Sequence, residues 1–330
     1  MNKTVLENYE ELLKQKEAID KLIYSSLEDI VNNDNSLKCN FDVVGKFICP
    51  RCSSNNTFKG GFSPQGKQRY KCGDCSSQRI IKRNNIAFSS KKDFSHWARF
   101  IKSMFELDSL KVSAHKASIS QRTAFRWRHK VLMVLNKHLN KATLSGNVEL
   151  DETLFPLVSK NKNDEKEIMQ RAKRGISNQK INVACAIDEK GNTILQVSDV
   201  GRITSKSLIE IFSGKIEKGA IVISDSHRSY HKLMKELEVD WKKIPSKKKS
   251  LEQYTLETIN HLHGLLKDFT YKYKGISVKY LQGYVAFFNY YQNNKNHYQD
   301  DVFKDILMTI FSTSSDLRCI DIDSGEPIYT

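Results

Sequence analysis

The sequence predicts a multidomain α/β protein: a small metal-clipped β-ribbon, a trihelical segment, then a mixed sheet flanked by helices. Three observations carry this. Two Cys-x-x-Cys pairs lie between Cys49 and Cys75, separated by 19 residues. Apolar residues recur at helical spacing from Phe94 to Leu135. Beyond about residue 146, short β-branched runs alternate with helical ones. A chain of 330 residues fits two or three domains, and 39% hydrophobic content is enough to bury a sizeable core, which excludes wholesale disorder.

Charge is distributed unevenly. Phe47–Asn140 holds 19 Lys and Arg against 4 Asp and Glu, a surplus equal to the whole chain's net charge of +15. The remainder is neutral, so the positive charge points to a polyanionic partner rather than to a generally basic surface. No run of about 18 apolar residues occurs, so no transmembrane helix is expected. Met1-Asn2-Lys3-Thr4-Val5-Leu6-Glu7 is too polar for a signal peptide. Four of the seven cysteines form one tight pattern, which suits metal binding in a reducing cytoplasm better than disulfides. Cys39, Cys185 and Cys319 read as ordinary thiols.

Residues 1–45 are expected as an amphipathic helix and linker. Leu6, Tyr9, Leu13, Ile23, Leu27 and Ile30 are among the helically spaced residues of 4–31, suited to packing on the chain itself or on a second copy. The ribbon is expected over 46–85. Two-residue spacing lets both thiolates of a knuckle face one tetrahedral ion, so Cys49, Cys52, Cys72 and Cys75 are the expected ligands of one structural Zn²⁺. Four thiolates leave no open coordination position, which excludes a catalytic role for that ion.

Residues 90–142 read as three helices. Phe94, Trp97, Phe100, Ile101 and Met104 form one apolar face, and Leu110, Val112 and Ala114 mark a shorter second helix. Ser120 suits the N-cap of a third, running through Ala124, Trp127, Val131 and Leu135. A short helix, a tight turn and a helix studded with Arg and Lys form a helix-turn-helix pattern. Gln121, Arg122 and Thr123, at the start of the last helix, are the candidates for base edges; Arg126, Arg128 and Lys130 are candidates for phosphates.

Residues 145–295 carry the alternating pattern. Val148–Leu154, Lys180–Ile187 and Thr193–Val200 are strand-like, with Asp188–Asn192 as the hairpin turn between the last two. Ser205–Phe212 is expected as a helix, Ile221–Ser224 as a strand, His231–Leu237 as a helix and Trp241–Ile244 as a short strand, with a long helical region from Thr255. Three strands with a hairpin, then β-α-β and terminal helices, is an RNase-H-like order. Residues 157–179 form a Lys- and Arg-rich loop, either ordered on DNA or a solvated insertion. Residues 296–330 are read as a C-terminal helix and tail.

The chemistry lies at the strand ends. Val148-Glu149-Leu150-Asp151 and Ala220–Asp225 are apolar runs that each end on a carboxylate. Carboxylates at neighbouring strand ends, with an oxygen ligand on a packed helix, can hold two Mg²⁺ (or Mn²⁺) ions roughly 3.5–4 Å apart for in-line phosphoryl displacement. Asn260 is favoured as the third ligand because His263 and Lys267 share its helix face; Glu257, one turn earlier, and Glu149 are the alternatives. Asn offers Mg²⁺ a carbonyl oxygen but no charge. Lys267 suits a phosphate or plain exposure, and His263 suits packing or ligation. Lys242, Lys243 and Lys247–Lys249 form a basic strip, solvated or set against DNA. The aromatic stripe of Tyr280, Tyr284, Phe287, Phe288 and Tyr291 reads as core.

At these residues the chain resembles bacterial insertion-sequence transposases of the DDE superfamily, the group with a zinc ribbon, a helix-turn-helix and an RNase-H-like domain. The resemblance is carried by the four cysteines, by Thr123–Lys130, by Val148–Thr153 around Asp151, by Ser224-Asp225, and by Asn260–Lys267 with Gly275–Leu281. It covers roughly 47–292. Many members have Glu where this chain has Asn260, and the resemblance implies a subgroup that uses Asn. It further implies Asp151, Asp225, Asn260 and Lys267 as catalytic residues, two-metal strand cleavage and strand transfer, double-stranded element ends and target DNA as partners, and a homodimer or larger in synapsis. The expected setting is bacterial cytoplasm, at the nucleoid. An inactive DNA-binding regulator and a hydrolysis-only nuclease are the other readings of the same fold.

Overall fold

The computed structural model describes residues 49, 51–64, 68–80, 86–87, 90–92, 94–138, 142–157, 180–245, 250–251, 253–273 and 275–294, with isolated positions from 303 to 322. The expected N-terminal helix and linker, nearly all of the 157–179 loop, Lys247–Lys249 and most of the C-terminal segment lie outside the described residues. Two compact units divide the chain: Met1–Ser120 with Phe303–Asp316, and Gln121–Val302 with Leu317–Thr330. Among the described residues, no helix is long and apolar enough to cross a membrane.

The first unit opens with an antiparallel ribbon of β1 (Thr57–Phe62), β2 (Gln68–Cys72) and β3 (Gln78–Ile80). Helices α1 (Phe94–Phe105) and α2 (Leu110–Lys116) follow. The apolar stripe of α1 is buried as its spacing predicts, and the Phe311 ring meets Trp97 edge-on at 6.2 Å. Ser109 caps α2 by accepting from the Val112 N–H. Lys116 ties the helix end back to Glu106 at 2.7 Å and Asp108 at 2.8 Å. The second helix forms where expected; in it Val112 faces solvent, while Ser113 and Ala114 turn inward. Leu110, Val112 and Ala114 alternate with period two, which a helix cannot place on one face. The buried Ser113 hydroxyl is matched by Ser103, 3.0 Å away.

The second unit is built on a five-stranded mixed sheet of β4 (Asn147–Pro156), β5 (Lys180–Asp188), β6 (Thr193–Val200), β7 (Ile221–Asp225) and β8 (Asp240–Ile244), in the order β6-β5-β4-β7-β8. The β4–β5 and β5–β6 pairs are antiparallel, whereas β4–β7 and β7–β8 are parallel. The β5–β6 hairpin closes where expected. Asp188 Oδ1 accepts from the N–H groups of Lys190 and Asn192, and Gly191 takes a φ of +85° that a side chain would resist.

Val148 and Leu150 of β4, Ala184 of β5 and Val222 of β7 point into one core with α4 (Ser205–Phe212) and α5 (Tyr230–Leu237). On the opposite face lie α6 (Glu257–Lys272) and α7 (Val278–Asn294). Polar side chains lock α7 to β6: Gln282 Oε1 accepts from the Val197 N–H at 2.7 Å, and Thr193 donates to Asn289 at 2.8 Å. Helix α3 (Gln121–His138) packs behind α7, where Gln282 also donates to Asn136 at 2.7 Å. The aromatic residues Tyr280, Tyr284, Phe287 and Phe288 are buried. Helix α6 starts two residues after the expected Thr255 because β9 (Ser250–Leu251) and β10 (Tyr254–Thr255) pair first.

Phe212 has no exposed surface and sits at the centre of the α4–α5 core. Phe212→Ala should cost about 3–5 kcal/mol in urea unfolding, as large-to-small core changes do, whereas Lys206→Ala on the exposed face of α4 should stay within about 0.5 kcal/mol.

Candidate active site

The two halves of the ribbon's cysteine cluster are built alike. After each Cys-x-x-Cys a serine takes left-handed geometry, Ser53 at φ +53° and Ser76 at +55°. Each first cysteine donates its N–H five residues ahead, Cys49 to Ser54 O and Cys72 to Ser77 O, both at 2.9 Å. Asp74 joins the knuckles, accepting from Ser54 and from Asn56. All four sulfurs lie within 4.8 Å of one another, with Cys49–Cys75 and Cys52–Cys72 at 3.6 Å. Zn–S bonds of 2.3 Å at a tetrahedral ion require sulfurs roughly 3.8 Å apart, so the cluster fits one structural Zn²⁺. Without a cation, four thiols this close cannot all ionise. The Arg51 N–H draws Cys49 down to about 6. At Cys52 the Ser54 N–H favours the thiolate, but the neighbouring Cys75, burial, Cys72 and Cys49 together push it up to about 12.

The second site rests on strand register. Asn147, Val148 and Glu149 pair with Ile221, Val222 and Ile223. Two residues further along each strand stand Asp151 and Asp225, which this register sets level and the two-residue period sets on one face. Burial raises the Asp151 carboxyl to about 7; the Glu152 N–H at 2.9 Å opposes that shift, and the Glu152 and Asp225 carboxylates add to it. Neither aspartate forms an ion pair among the described residues. This crowded, uncompensated negative charge fits a divalent cation.

Helix α6 is fixed to this face through Glu149, whose Oε2 accepts from the Ile259 N–H at 2.8 Å. That N–H is one of the orphan donors of a helix first turn, where a carboxylate is favourable. Glu149 is thereby engaged as a helix anchor. Asn260 follows Ile259 directly and is exposed, as is Lys267 two turns later. The Lys267 charge reaches Cys185, the β5 neighbour of Asp151, and His263. His263 is buried and held down at about 4 by burial and then by Lys267, so it is neutral at pH 7.

The family comparisons agree with this architecture. Residues 143–293 match the ISXO2-like transposase domain, and residues 46–76 match the InsA N-terminal domain, a zinc ribbon. The sheet and its flanking helices are thus similar to an ISXO2-like transposase domain. No curated protein matches it significantly. Among solved structures, a simian T-cell lymphotropic virus intasome in complex with the PP2A regulatory subunit B56 gamma aligns at 12% identity, covering 64% of this chain and 67% of that one, with a TM-score of 0.26. A Mos1 transposase paired-end complex with left transposon end aligns at 10% identity, covering 66% and 80%, with a TM-score of 0.22. Overlap that slight adds nothing to the assignment.

Two features of this domain escape the sequence reading. Glu152 points to the opposite face from Asp151, where the Tyr230 hydroxyl donates to its Oε2. Burial raises the Glu152 carboxyl and that hydrogen bond draws it back. A carboxylate in the register of Val148 and Leu150 was the available signal. Asp225, in turn, accepts from the His227 N–H at 2.9 Å, which shapes the turn out of β7. Beneath it, Trp241 Nε1 donates to Ser224 Oγ at 2.9 Å.

On α3, Gln121 and Arg122 are exposed, and Thr123, Arg126 and Lys130 are half-buried. Arg128 departs from the phosphate-facing expectation. Only 4% exposed, it sets its guanidinium 5.3 Å from the centre of the Tyr273 ring. Its neighbour His129 stacks on Tyr280 at 4.0 Å, and burial holds it at about 3. The basic strip is partly committed too: Lys243 lies 4.1 Å over Trp241, and Lys242 pairs with Asp240 at 2.9 Å.

Cys72→Ser should cut bound zinc from about one ion per chain to a small fraction, measured by atomic absorption after dialysis, because three thiolates no longer close the shell. The second expectation concerns pH. With its carboxyl at about 7, against an ordinary 3.8, folded Asp151 binds a proton more tightly than the unfolded chain does. Stability therefore falls as pH rises through that window. Asp151→Asn removes the loss, so in thermal melts with chelator the variant should outlast the parent at pH 8 and converge with it by pH 4. Equal melting temperatures at pH 8 would contradict a perturbed carboxyl.

Proposed function

We propose that the chain is a DNA transposase that binds the ends of a mobile element, cleaves a strand there and joins the freed 3′ end to target DNA. The observation that carries this is the pair of aspartates, level and on one face of adjacent parallel strands, within a domain similar to a transposase domain. Asp151, Asp225 and the Asn260 carbonyl are the residues that would hold the divalent ions. Those ions, when bound, supply Lewis-acid activation of the attacking oxygen and stabilisation of the leaving one.

The remaining work falls to the chain. Glu149 keeps α6 seated, so that Asn260 stays at the carboxylate face. Lys267, exposed two turns along α6, neutralises a scissile or neighbouring phosphate. In the first step water attacks phosphorus and the bond to the 3′ oxygen breaks; in the second the freed 3′ hydroxyl attacks a target phosphodiester in the same way. Both are exchanges of one phosphate ester bond and need no nucleotide energy. Gln121, Arg122, Thr123, Arg126 and Lys130 on α3 are the element-end contacts. Synapsis of two ends calls for two or more copies.

The test is incubation of purified protein with supercoiled plasmid bearing the flanking element ends, with and without Mg²⁺ or Mn²⁺. Metal-dependent cleavage and joining are expected, and Asp151→Ala should abolish both while end binding changes less than about twofold. Tight end binding with no cleavage under either metal identifies a DNA-binding regulator instead, and cleavage without joining identifies a nuclease.

A further inference from the structure

Beside the second aspartate the surface opens into a cleft of about 500 Å³, whose lining includes Arg202, His227, Arg228, Ser229, His231 and Lys232. Two connections build it. Arg202 lies between β6 and α4, and His227, Arg228 and Ser229 lie between β7 and α5. The Ser205 hydroxyl donates to Ser229 O at 2.7 Å and ties the two loops together. Both imidazoles are held in place: His227 Nδ1 is 2.7 Å from the Ser229 hydroxyl, and His231 packs edge-on to Trp241 at 4.8 Å.

The charge of this cleft is one-sided. Arg202, Arg228 and Lys232 are exposed, none forms an ion pair among the described residues, and no acidic residue lines the cleft. Outside the basic segment of residues 47–140 the chain is neutral overall, so three unmatched cations in one concavity are a local arrangement and not a share of a general excess. The β7–α5 loop that carries Arg228 also reaches the second aspartate, because the N–H of His227 is bonded to Asp225. Two guanidinium groups and an ammonium around a concave surface with hydroxyls match the oxygens of a phosphodiester, which arginine grips in bidentate fashion.

We propose that this cleft is a phosphate-binding site for a DNA strand passing Asp225, with Arg202, Arg228 and Lys232 as positioning residues. The proposal rests on the transposase reading for the identity of the strand. That strand is either the DNA flanking the element end or the target, and both present the same backbone chemistry. The cleft holds the backbone without reading bases, so it acts on every sequence alike.

The test uses full-length Arg202→Ala/Arg228→Ala, with Lys232→Ala and Arg202→Lys/Arg228→Lys alongside, all checked by thermal melting. Binding to a flanked end duplex and to an unrelated duplex is followed by fluorescence anisotropy from 50 to 200 mM KCl. Cleavage of flanked ends and joining of pre-cleaved ends are assayed in parallel. In the double alanine variant the slope of log affinity against log salt should become shallower by about two on at least one duplex, since each phosphate contact contributes about 0.9. The dependent reaction should slow at least tenfold, Lys232→Ala should show a smaller loss of the same kind, and the lysine pair should recover much of it. A defect confined to flanked-end cleavage assigns the flank, and one confined to joining assigns the target. An unchanged salt slope on both duplexes, with both reactions at the parent rate, overturns the proposal. Should the parent chain lack metal-dependent cleavage, the transposase reading fails, and the salt slopes still decide whether the cleft binds phosphate.

Discussion

The parallel register between β4 and β7 is the constraint on which the candidate active site depends. Side chains alternate along a strand, so a slip of one residue would send Asp151 to the opposite face from Asp225. What resists the slip is apolar. Val148, Leu150 and Val222 belong to the core beneath α4 and α5, and a shift by one would turn them out of it. The position of two carboxylates is therefore set by the burial of residues that never touch a substrate. Chemistry and stability share one strand, with alternate positions assigned to each.

The same strand uses its acidic residues for different ends. Glu149 meets the first turn of α6, where a carboxylate satisfies an orphan N–H and complements the positive end of the helix dipole. Asp151 stands two residues on, without an ion pair among the described residues. Glu152 turns away to Tyr230 on the α5 side. Each of the two flanking carboxylates has a hydrogen-bond donor from a packed helix, which pins that helix to β4. The strand thus acts as a bracket for both helical layers, and the carboxylate between the two anchors is the one that ties to neither helix.

Much of this was legible in the sequence because it is written in short-range periodicities. The five strands of the sheet, the hairpin at Asp188–Asn192, the buried stripe of α1 and the cysteine spacing all follow from residues within a few positions of one another. What escaped depends on partners distant in sequence. Arg128 looked like a phosphate contact because it lies on a basic helix, yet α3 packs behind α7 and Tyr273 receives its guanidinium. The anchoring of α6 by Glu149 spans 110 residues. The cleft joins Arg202 to Arg228 across two loops, and no local pattern announces it.

Asn260 gives the proposed chemistry a particular electrostatic character. With Glu at that position, three carboxylates would face two divalent ions; with Asn, two carboxylates do, and the site is one unit more positive. Part of the neutralisation must then come from the substrate, in keeping with the habit of Mg²⁺ of sharing phosphate oxygens rather than relying on an all-protein cage. Under the proposed function, such a site would load its ions most tightly with DNA already in place. It also raises the importance of groups that hold phosphates nearby. Lys267 on α6 and the proposed Arg202–Arg228 cleft are such groups. The missing negative charge and the surrounding positive charge are, on this view, two parts of one arrangement.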